Sequence, residues 1–191
     1  RGEQRKTDDF THAAASWTLT AHEARPGHEL QFASLVERGV SLARALFAMN
    51  SANIEGWGRY AEAILLPFMP PEGQLVSLQY RLQRAARIFL DPELQLGKMT
   101  PAGARAFLEK EVVLSAPFAQ SEVERYTFRA PGQATSYYYG YVKLMELRRE
   151  VESKLGARFE PLAFHDFVLA QGILPPALLR KAVLERFVAS R

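Results

Sequence analysis

The sequence contains no cysteine among its 191 residues. This absence excludes disulfides, thiol catalysis and cysteine-ligated metals, and it leaves histidine and carboxylate side chains as the plausible donors for a transition metal. The sequence also has no apolar run of the roughly 18 residues that a membrane-spanning helix requires. We therefore expect no membrane span in this segment, and any metal chemistry must come from its four histidines and its acidic residues.

Positive charge is present but is not concentrated along the chain. The net charge of +3 arises from 24 lysines and arginines against 21 acidic residues. Arg81, Arg84 and Arg87 are the nearest approach to a cluster, and their spacing is also that of one helix face. A nucleic-acid-binding protein would need a denser patch in a recognisable module. We expect no nucleic-acid partner, and we expect these three arginines to face solvent.

The sequence also lacks alternating runs of β-branched residues, which are the pattern of half-buried strands. Helical patterns follow one another along the chain, without an internal repeat. We predict an all-α, multi-helix fold and a single domain over residues 1–191, long enough to bury one sizeable core. The predicted helices include residues 41–66, residues 72–90 ended by Asp91-Pro92, and a helix that carries Tyr137 and ends at Gly156.

The motif with the clearest chemistry is His22-Glu23-Ala24-Arg25-Pro26-Gly27-His28, followed by Glu55. A catalytic zinc ion takes three protein ligands and leaves its fourth position to water. His22, His28 and Glu55 could supply those three ligands. Glu23 could then accept a proton from a metal-activated water as it attacks a carbonyl carbon.

The spacing of the two histidines predicts a distortion of the helix that carries them. At positions i and i+6 of a regular helix, two side chains lie about 120° apart and about 9 Å apart along the axis. Pro26 and Gly27 stand between them and favour a bulge or break. We therefore predict that the helix is interrupted there and that both imidazoles share one ion.

The same residues have simpler interpretations. Each histidine could be an ordinary core or surface residue, and Glu55 precedes Arg59 by four residues, a routine spacing for a surface ion pair. On this view the chain is a purely structural helical domain without metal. Gly56 and Gly58 favour the metal site, because glycines in a helix are better explained by the close approach of a backbone or ligand. Glu62 would then hold a ligand imidazole.

Longer stretches resemble a known family. The run from Thr20 to Gln31, the run from Glu55 to Glu62 and later blocks are similar in content and order to the bacterial domain-of-unknown-function family 885, which is marked by HExxPGH and EGW. The later blocks are Arg84-Ala85-Ala86-Arg87, Pro131-Gly132-Gln133-Ala134 with Tyr137 and Gly140, and Phe164-His165-Asp166 with Gly172 and Leu174-Pro175.

This resemblance implies a zincin-like helical fold and a zinc-dependent peptidase acting on a peptide substrate. It implies His22, His28 and Glu55 as Zn²⁺ ligands and Glu23 as general base, and it singles out Tyr137 as a donor to the developing oxyanion. The matching blocks lie in the C-terminal part of longer family members. We therefore expect a missing N-terminal part of the same chain to form the other wall of a cleft, and a periplasmic or cell-envelope location.

One position departs from the family pattern. The family usually has a histidine where this chain has Gln95, and a glutamine cannot carry a proton or a positive charge. Two functional hypotheses result. The first is a zinc-dependent hydrolase of peptide bonds, and the second is a catalytically silent helical module that binds zinc or a peptide.

Overall fold

The computed structural model describes residues 12–37 and 40–191, and these residues form helices with no strand among them. The all-α prediction is confirmed for these ranges. The ten α-helices are α1 Ala13–Glu23, α2 His28–Glu37, α3 Leu42–Phe47, α4 Ser51–Leu65, α5 Pro71–Gln95, α6 Pro101–Lys110, α7 Ala116–Glu124, α8 Thr135–Leu155, α9 Pro161–Ala170 and α10 Pro176–Ala182. The single domain over residues 1–191 stays a prediction, because residues 1–11, 38 and 39 lie outside these ranges.

Four shorter helical segments complete the described chain. Leu66–Phe68 and Gly156–Arg158 are 3₁₀ turns, whereas Arg125–Arg129 and Val183–Val188 form wider π turns. None of the helices in the described ranges has both the length and the apolar character needed to cross a membrane.

Helices α4 and α8 pack with their backbones in contact at two glycines. A Cβ atom on Gly140 would lie 1.8 Å from the carbonyl oxygen of Ala52, and one on Gly56 would lie 2.5 Å from the carbonyl carbon of Gly140. No side chain fits at either position. The prediction that Gly56 marks the close approach of another backbone is therefore confirmed.

Two groups of buried side chains form the core. The larger joins α4 to α8, α9 and α10 through residues such as Trp57, Tyr60, Leu147 and Phe164. The second joins α5 to α6, α7 and the π turn that follows α7, through residues that include Leu90, Leu108, Ala119 and Tyr126. Together they hold α4, α5, α7 and α8 in place around a polar pocket.

Two predicted helix boundaries are wrong. The segment predicted as one helix over residues 41–66 is two helices, because the side chain of Asn50 accepts a hydrogen bond from the backbone N–H of Asn53 and starts α4 anew. Helix α5 does not end at Asp91-Pro92 but continues to Gln95. Contacts with another part of the chain support this extension, since Asp91 accepts hydrogen bonds from the backbone of Gly132 at 2.8 Å and of Ala134 at 3.1 Å.

The predicted solvent-facing row of arginines is also wrong for two of its members. Arg87 is buried, with 4% of its surface exposed, and Arg84 is largely enclosed. Arg87 forms a two-pronged ion pair with Glu122 on α7, with both N–O distances at 2.7 Å. Because helix spacing gives the relative directions of side chains but not what lies opposite them, the sequence pattern could not distinguish this inward face from a solvated one.

Candidate metal centre

The helix that carries the first histidine ends immediately after it. Helix α1 stops at Glu23 and α2 begins at His28, so the residues between them, including Pro26 and Gly27, form a turn. The predicted break is confirmed. It brings the His22 and His28 rings within 4.7 Å of each other, centroid to centroid.

The turn is fastened to α4 by a tryptophan. The indole N–H of Trp57 donates to the carbonyl oxygens of Pro26 at 2.8 Å and Gly27 at 3.2 Å. The indole supplies a donor to the Pro26 carbonyl, which precedes α2, whereas the Gly27 carbonyl also accepts from the backbone N–H of Gln31 at 3.1 Å. Trp57 follows Glu55 by two residues, so the same short stretch of α4 supplies both the carboxylate and the residue that fixes the turn.

Three potential ligand atoms converge at this point. The Nε2 atom of His22 lies 3.4 Å from Oε2 of Glu55, and the Nε2 atom of His28 lies 3.6 Å from the same oxygen. Ligand atoms of the three residues all lie within 4.8 Å of one another. The structure thus places all three predicted metal ligands together.

The two nitrogen–oxygen separations are close to those of a tetrahedral zinc site. Zinc binds histidine nitrogen and carboxylate oxygen at about 2.0–2.2 Å, so two ligand atoms of a tetrahedral site stand about 3.3–3.5 Å apart. The two measured nitrogen–oxygen separations, 3.4 and 3.6 Å, match this value closely. The donor set of two imidazoles and one carboxylate is also one that catalytic zinc sites use.

Both imidazoles are oriented by groups on the far side of the ring. Nδ1 of His22 lies 2.7 Å from Oε1 of the buried Glu62, and Nδ1 of His28 lies 3.4 Å from Oε1 of Gln31. Because both acceptors face Nδ1, the proton of each neutral ring belongs on Nδ1 and the Nε2 lone pair points to the shared centre. The interpretation of Glu62 as the residue that holds an imidazole agrees with this contact.

Gly58 makes room for the first imidazole. A Cβ atom there would lie 2.6 Å from Cε1 and 2.7 Å from Nε2 of His22. Any side chain at this position of α4 would push the ring away. The sequence predicted the close approach of another backbone or a ligand at Gly58, and the group that the structure places there is the imidazole of His22.

Glu55 is held in its charged form. Burial raises the pKa of this carboxyl group, but its interactions with the His22 and His28 rings outweigh that effect and lower the pKa to about 2. Gln133 adds a contact from its amide nitrogen, 3.4 Å from Oε1 of Glu55. The carboxylate is therefore anionic at neutral pH, as a metal ligand must be.

Glu23 and Tyr137 border the same pocket of about 440 Å³ that His22 enters. Glu23 is exposed, and its carboxylate has no ion pair with another residue of the described ranges. The Tyr137 ring stacks beside His22 at 6.2 Å, centroid to centroid, and its hydroxyl accepts a hydrogen bond from Arg125 at 3.0 Å. Both predicted catalytic side chains thus share a pocket with His22.

Gln95 lies apart from this pocket. It is exposed at the end of α5, and its amide donates to the carbonyl oxygen of Tyr126 at 2.7 Å. The Gln95 side chain thus links the end of α5 to the backbone of Tyr126.

Sequence reasoning missed other residues that surround the cluster. Gln31 orients His28 and is itself held by Asn53 at 3.0 Å, while Arg84 and Arg125 line the pocket. The sequence carried a signal for Arg84, since two small residues separate it from Arg87 and permit close packing of α5. No sequence signal pointed to Arg125 or Gln31.

The chain has relatives among bacterial proteins of unknown function. The model of one such family, described as a bacterial protein of unknown function and designated DUF885, matches residues 3–183. The chain belongs to this family. The resemblance noted in the sequence motifs is therefore confirmed, whereas the family's description assigns no activity.

Two solved structures are similar to the chain over most of its length. One is described as a candidate lipoprotein from Colwellia psychrerythraea, with 32% identity, a TM-score of 0.85, 91% of this chain covered and 30% of that chain. The other is described as a candidate lipoprotein of unknown function from Shewanella oneidensis, with 32% identity, a TM-score of 0.80, 87% of this chain covered and 31% of that chain. The chain thus spans about 30% of the length of either solved protein. None of the curated proteins matches it.

Proposed function

We propose that this chain carries the zinc site of a peptide-bond hydrolase, with His22, His28 and Glu55 as the metal ligands. The observation that carries the proposal is the convergence of two Nε2 atoms on one Glu55 oxygen, at 3.4 and 3.6 Å, with both Nδ1 atoms engaged elsewhere. Two histidines that were close by accident would have no reason to direct both Nε2 atoms at the same carboxylate oxygen. When zinc is bound in such a site, it lowers the pKa of a bound water and polarises a carbonyl group.

The chain's own residues would perform the proton transfers. Glu23 borders the pocket without an ion-pair partner in the described ranges, so its carboxylate is free to accept the proton of the attacking water. The same carboxyl group could then return the proton to the leaving nitrogen. Glu23 is adjacent in sequence to His22 and is not one of the three converging donors, which separates the roles of ligand and base.

Tyr137 would stabilise the oxyanion that develops on the attacked carbonyl. Arg125 donates to the tyrosine oxygen at 3.0 Å, so the hydroxyl proton remains available to a second acceptor. Removing one such donor typically costs about 10²- to 10³-fold in kcat. A Tyr137→Phe variant is expected to lower kcat by this factor with a smaller change in KM.

Metal content tests the first half of the proposal. Elemental analysis of the purified chain is expected to give one zinc per molecule, with loss of that zinc in His28→Ala and in Glu55→Ala. His12→Ala is the matched control, since His12 is exposed at the start of α1, and it should keep its zinc. Unchanged zinc affinity in Glu55→Ala would refute the assignment of this ligand.

Peptide cleavage tests the second half of the proposal, the hydrolase activity. It should be measured in the full-length protein. Glu23→Gln should keep the zinc but lose about 10²- to 10⁴-fold of peptide cleavage, because an amide cannot accept the proton at neutral pH. Glu29→Gln, an exposed position of α2 that pairs with Arg25, is the control and should retain activity. Equal cleavage by Glu23→Gln and the parent would refute the base assignment. A zinc-loaded parent that cleaves nothing across a broad peptide pool would favour the silent binding module instead.

We also propose a cell-envelope location. Its support is that both similar solved structures are described as candidate lipoproteins. Fractionation of the native bacterium, followed by detection with an antibody to this chain, should find the protein in the envelope or periplasmic fraction. Recovery in the cytosolic fraction alone would contradict this proposal.

A further inference from the structure

The pocket beside the candidate metal centre has an excess of positive charge. Four arginines line it, and two of these are neutralised. Arg87 pairs with Glu122, and Arg129 pairs with Glu124 at 2.9 Å. The other two, Arg84 and Arg125, have no ion pair with any carboxylate of the described ranges. These two cations distinguish the pocket from an ordinary network of paired charges.

Arg84 is enclosed but incompletely satisfied. Its Nη1 donates to the Gln83 side-chain oxygen at 3.0 Å and to the Tyr80 carbonyl at 3.4 Å, both neutral acceptors. Its Nε is buried and has no hydrogen-bond partner among the residues that the structure describes. Burial and the neighbouring Arg87 lower the pKa of Arg84 to about 10, so the group remains charged at neutral pH. The nearby carboxylate of Glu122 is already paired with Arg87, so Arg84 has no anion of its own, and a bound anionic ligand would offset the cost of burying this cation.

Arg125 extends the same positive region towards the metal ligands. Its Nη2 donates to Gln133 at 2.6 Å and to the Tyr137 hydroxyl at 3.0 Å, while its Nε is buried without a hydrogen-bond partner in the described ranges. Gln133 also lies 3.4 Å from Oε1 of Glu55, and the Tyr137 ring stacks beside His22. A ligand that contacts Arg125 would therefore lie close to the centre where hydrolysis is proposed.

We propose that Arg84 and Arg125 form a subsite for a carboxylate group of the peptide substrate. This inference rests on the proposed function and names its substrate class. A guanidinium group presents its N–H donors in a fork that matches the two oxygens of a carboxylate. Glu23 repels such a group from its own part of the pocket, so the carboxylate anchors the peptide at the arginines. The carboxylate is either the C-terminus of the peptide or an acidic side chain.

Binding of a small carboxylate tests the subsite without turnover. The probes are 3-phenylpropionate and 3-phenylpropanamide, which share a ring and chain and lack a peptide bond. Calorimetry on the purified chain with its metal should show tighter binding of the acid than of the amide. Charge-assisted hydrogen bonds of this kind correspond to about 10- to 100-fold in affinity. Equal affinities for acid and amide, or no binding of the acid at millimolar concentration, would overturn the proposal.

Variants locate the binding group. Arg84→Gln and, separately, Arg125→Gln should reduce affinity for the acid towards that of the amide and leave the amide unchanged. Arg81→Gln is the matched control, because Arg81 lies one turn earlier on α5 and is not among the residues that line the pocket. If both variants keep the acid preference, the carboxylate binds elsewhere, for example at the metal, and the subsite is wrong. The comparison of acid with amide on the parent chain does not depend on the folding of any variant.

A substrate series in the full-length protein separates the two sources of the carboxylate. The series contains N-acetyl-tri-alanine with a free C-terminus, its C-terminal amide, and the amide with a central glutamate. A low KM for the free acid alone indicates the C-terminal carboxylate, whereas a low KM for the glutamate peptide indicates an acidic side chain. If KM is the same for all three, the subsite is refuted although hydrolysis stands. Conversely, a chain that binds the acid through Arg84 but holds no zinc retains the subsite and refutes the hydrolase.

Discussion

Replacing Gly58 by alanine should weaken zinc binding without unfolding the protein. The added Cβ would lie 2.6 Å from Cε1 of His22, whereas ordinary contact begins at 3.4 Å, so ring and helix must separate by 0.8 Å. Distances in a metal site tolerate only about ±0.2 Å. The displacement would also disturb the hydrogen bond of 2.7 Å between Nδ1 of His22 and Glu62.

The expected loss is about 10- to 100-fold in zinc affinity, the usual effect of disturbing the groups that orient a ligand. This corresponds to about 1.4–2.7 kcal/mol, since each tenfold change is about 1.36 kcal/mol. Alanine is a better helix former than glycine by about 0.8–1.0 kcal/mol, so α4 itself should remain intact. Competition with a chromophoric zinc chelator measures the affinity, and far-ultraviolet circular dichroism checks the helix content.

Gly103→Ala is the control for the general effect of alanine in a helix. Its Cβ would meet Thr100 Oγ1 at 3.3 Å and Met99 Cγ at 3.6 Å, close to normal contact distances. This variant should bind zinc like the parent. If Gly58→Ala binds zinc within twofold of the parent, the His22 ring is not the ligand that this geometry requires, and the argument from Gly58 is wrong.

Three other variants test the framework around the site by urea unfolding. Gly140→Ala should lower the free energy of unfolding by about 1–3 kcal/mol or more, because its Cβ would overlap the carbonyl of Ala52 and separate α4 from α8. Asp91→Asn should cost about 1–3 kcal/mol, since an amide cannot accept from both the Gly132 and Ala134 N–H groups as the buried carboxylate does. Glu122→Gln should cost about 3–5 kcal/mol at neutral pH, because it leaves Arg87 as an unpaired buried cation. Burial raises the pKa of Glu122, but Arg87 outweighs it and lowers the pKa from 4.5 to about 2, so the unfolded chain binds more protons in this window. The parent should therefore lose stability as the pH falls from 4.5 to about 2, and Glu122→Gln should lose less over the same range. A parent whose stability is flat there, or a variant with the same slope, would contradict this ion-pair account.

Local sequence chemistry was sufficient to predict the helical class, the break between His22 and His28, and a close approach at Gly56 and at Gly58. Each depends on neighbours along the chain: a proline and glycine disrupt a helix wherever the rest of the protein lies. Glycine in a helix likewise costs stability that only a close contact explains. For the same reason the candidate ligands were identifiable from residue type and spacing.

Only the tertiary structure decided what lies opposite these residues. Helix periodicity showed that Arg84 and Arg87 share a face, but that face turns inward, where Arg87 pairs with Glu122 of α7. Pro92 predicts a helix end, and hydrogen bonds from residues about 40 positions later hold Asp91 in a helix that continues. The sequence by itself determines local conformation and donor chemistry, whereas charge pairing and the arginine-lined pocket arise from contacts between residues distant in sequence.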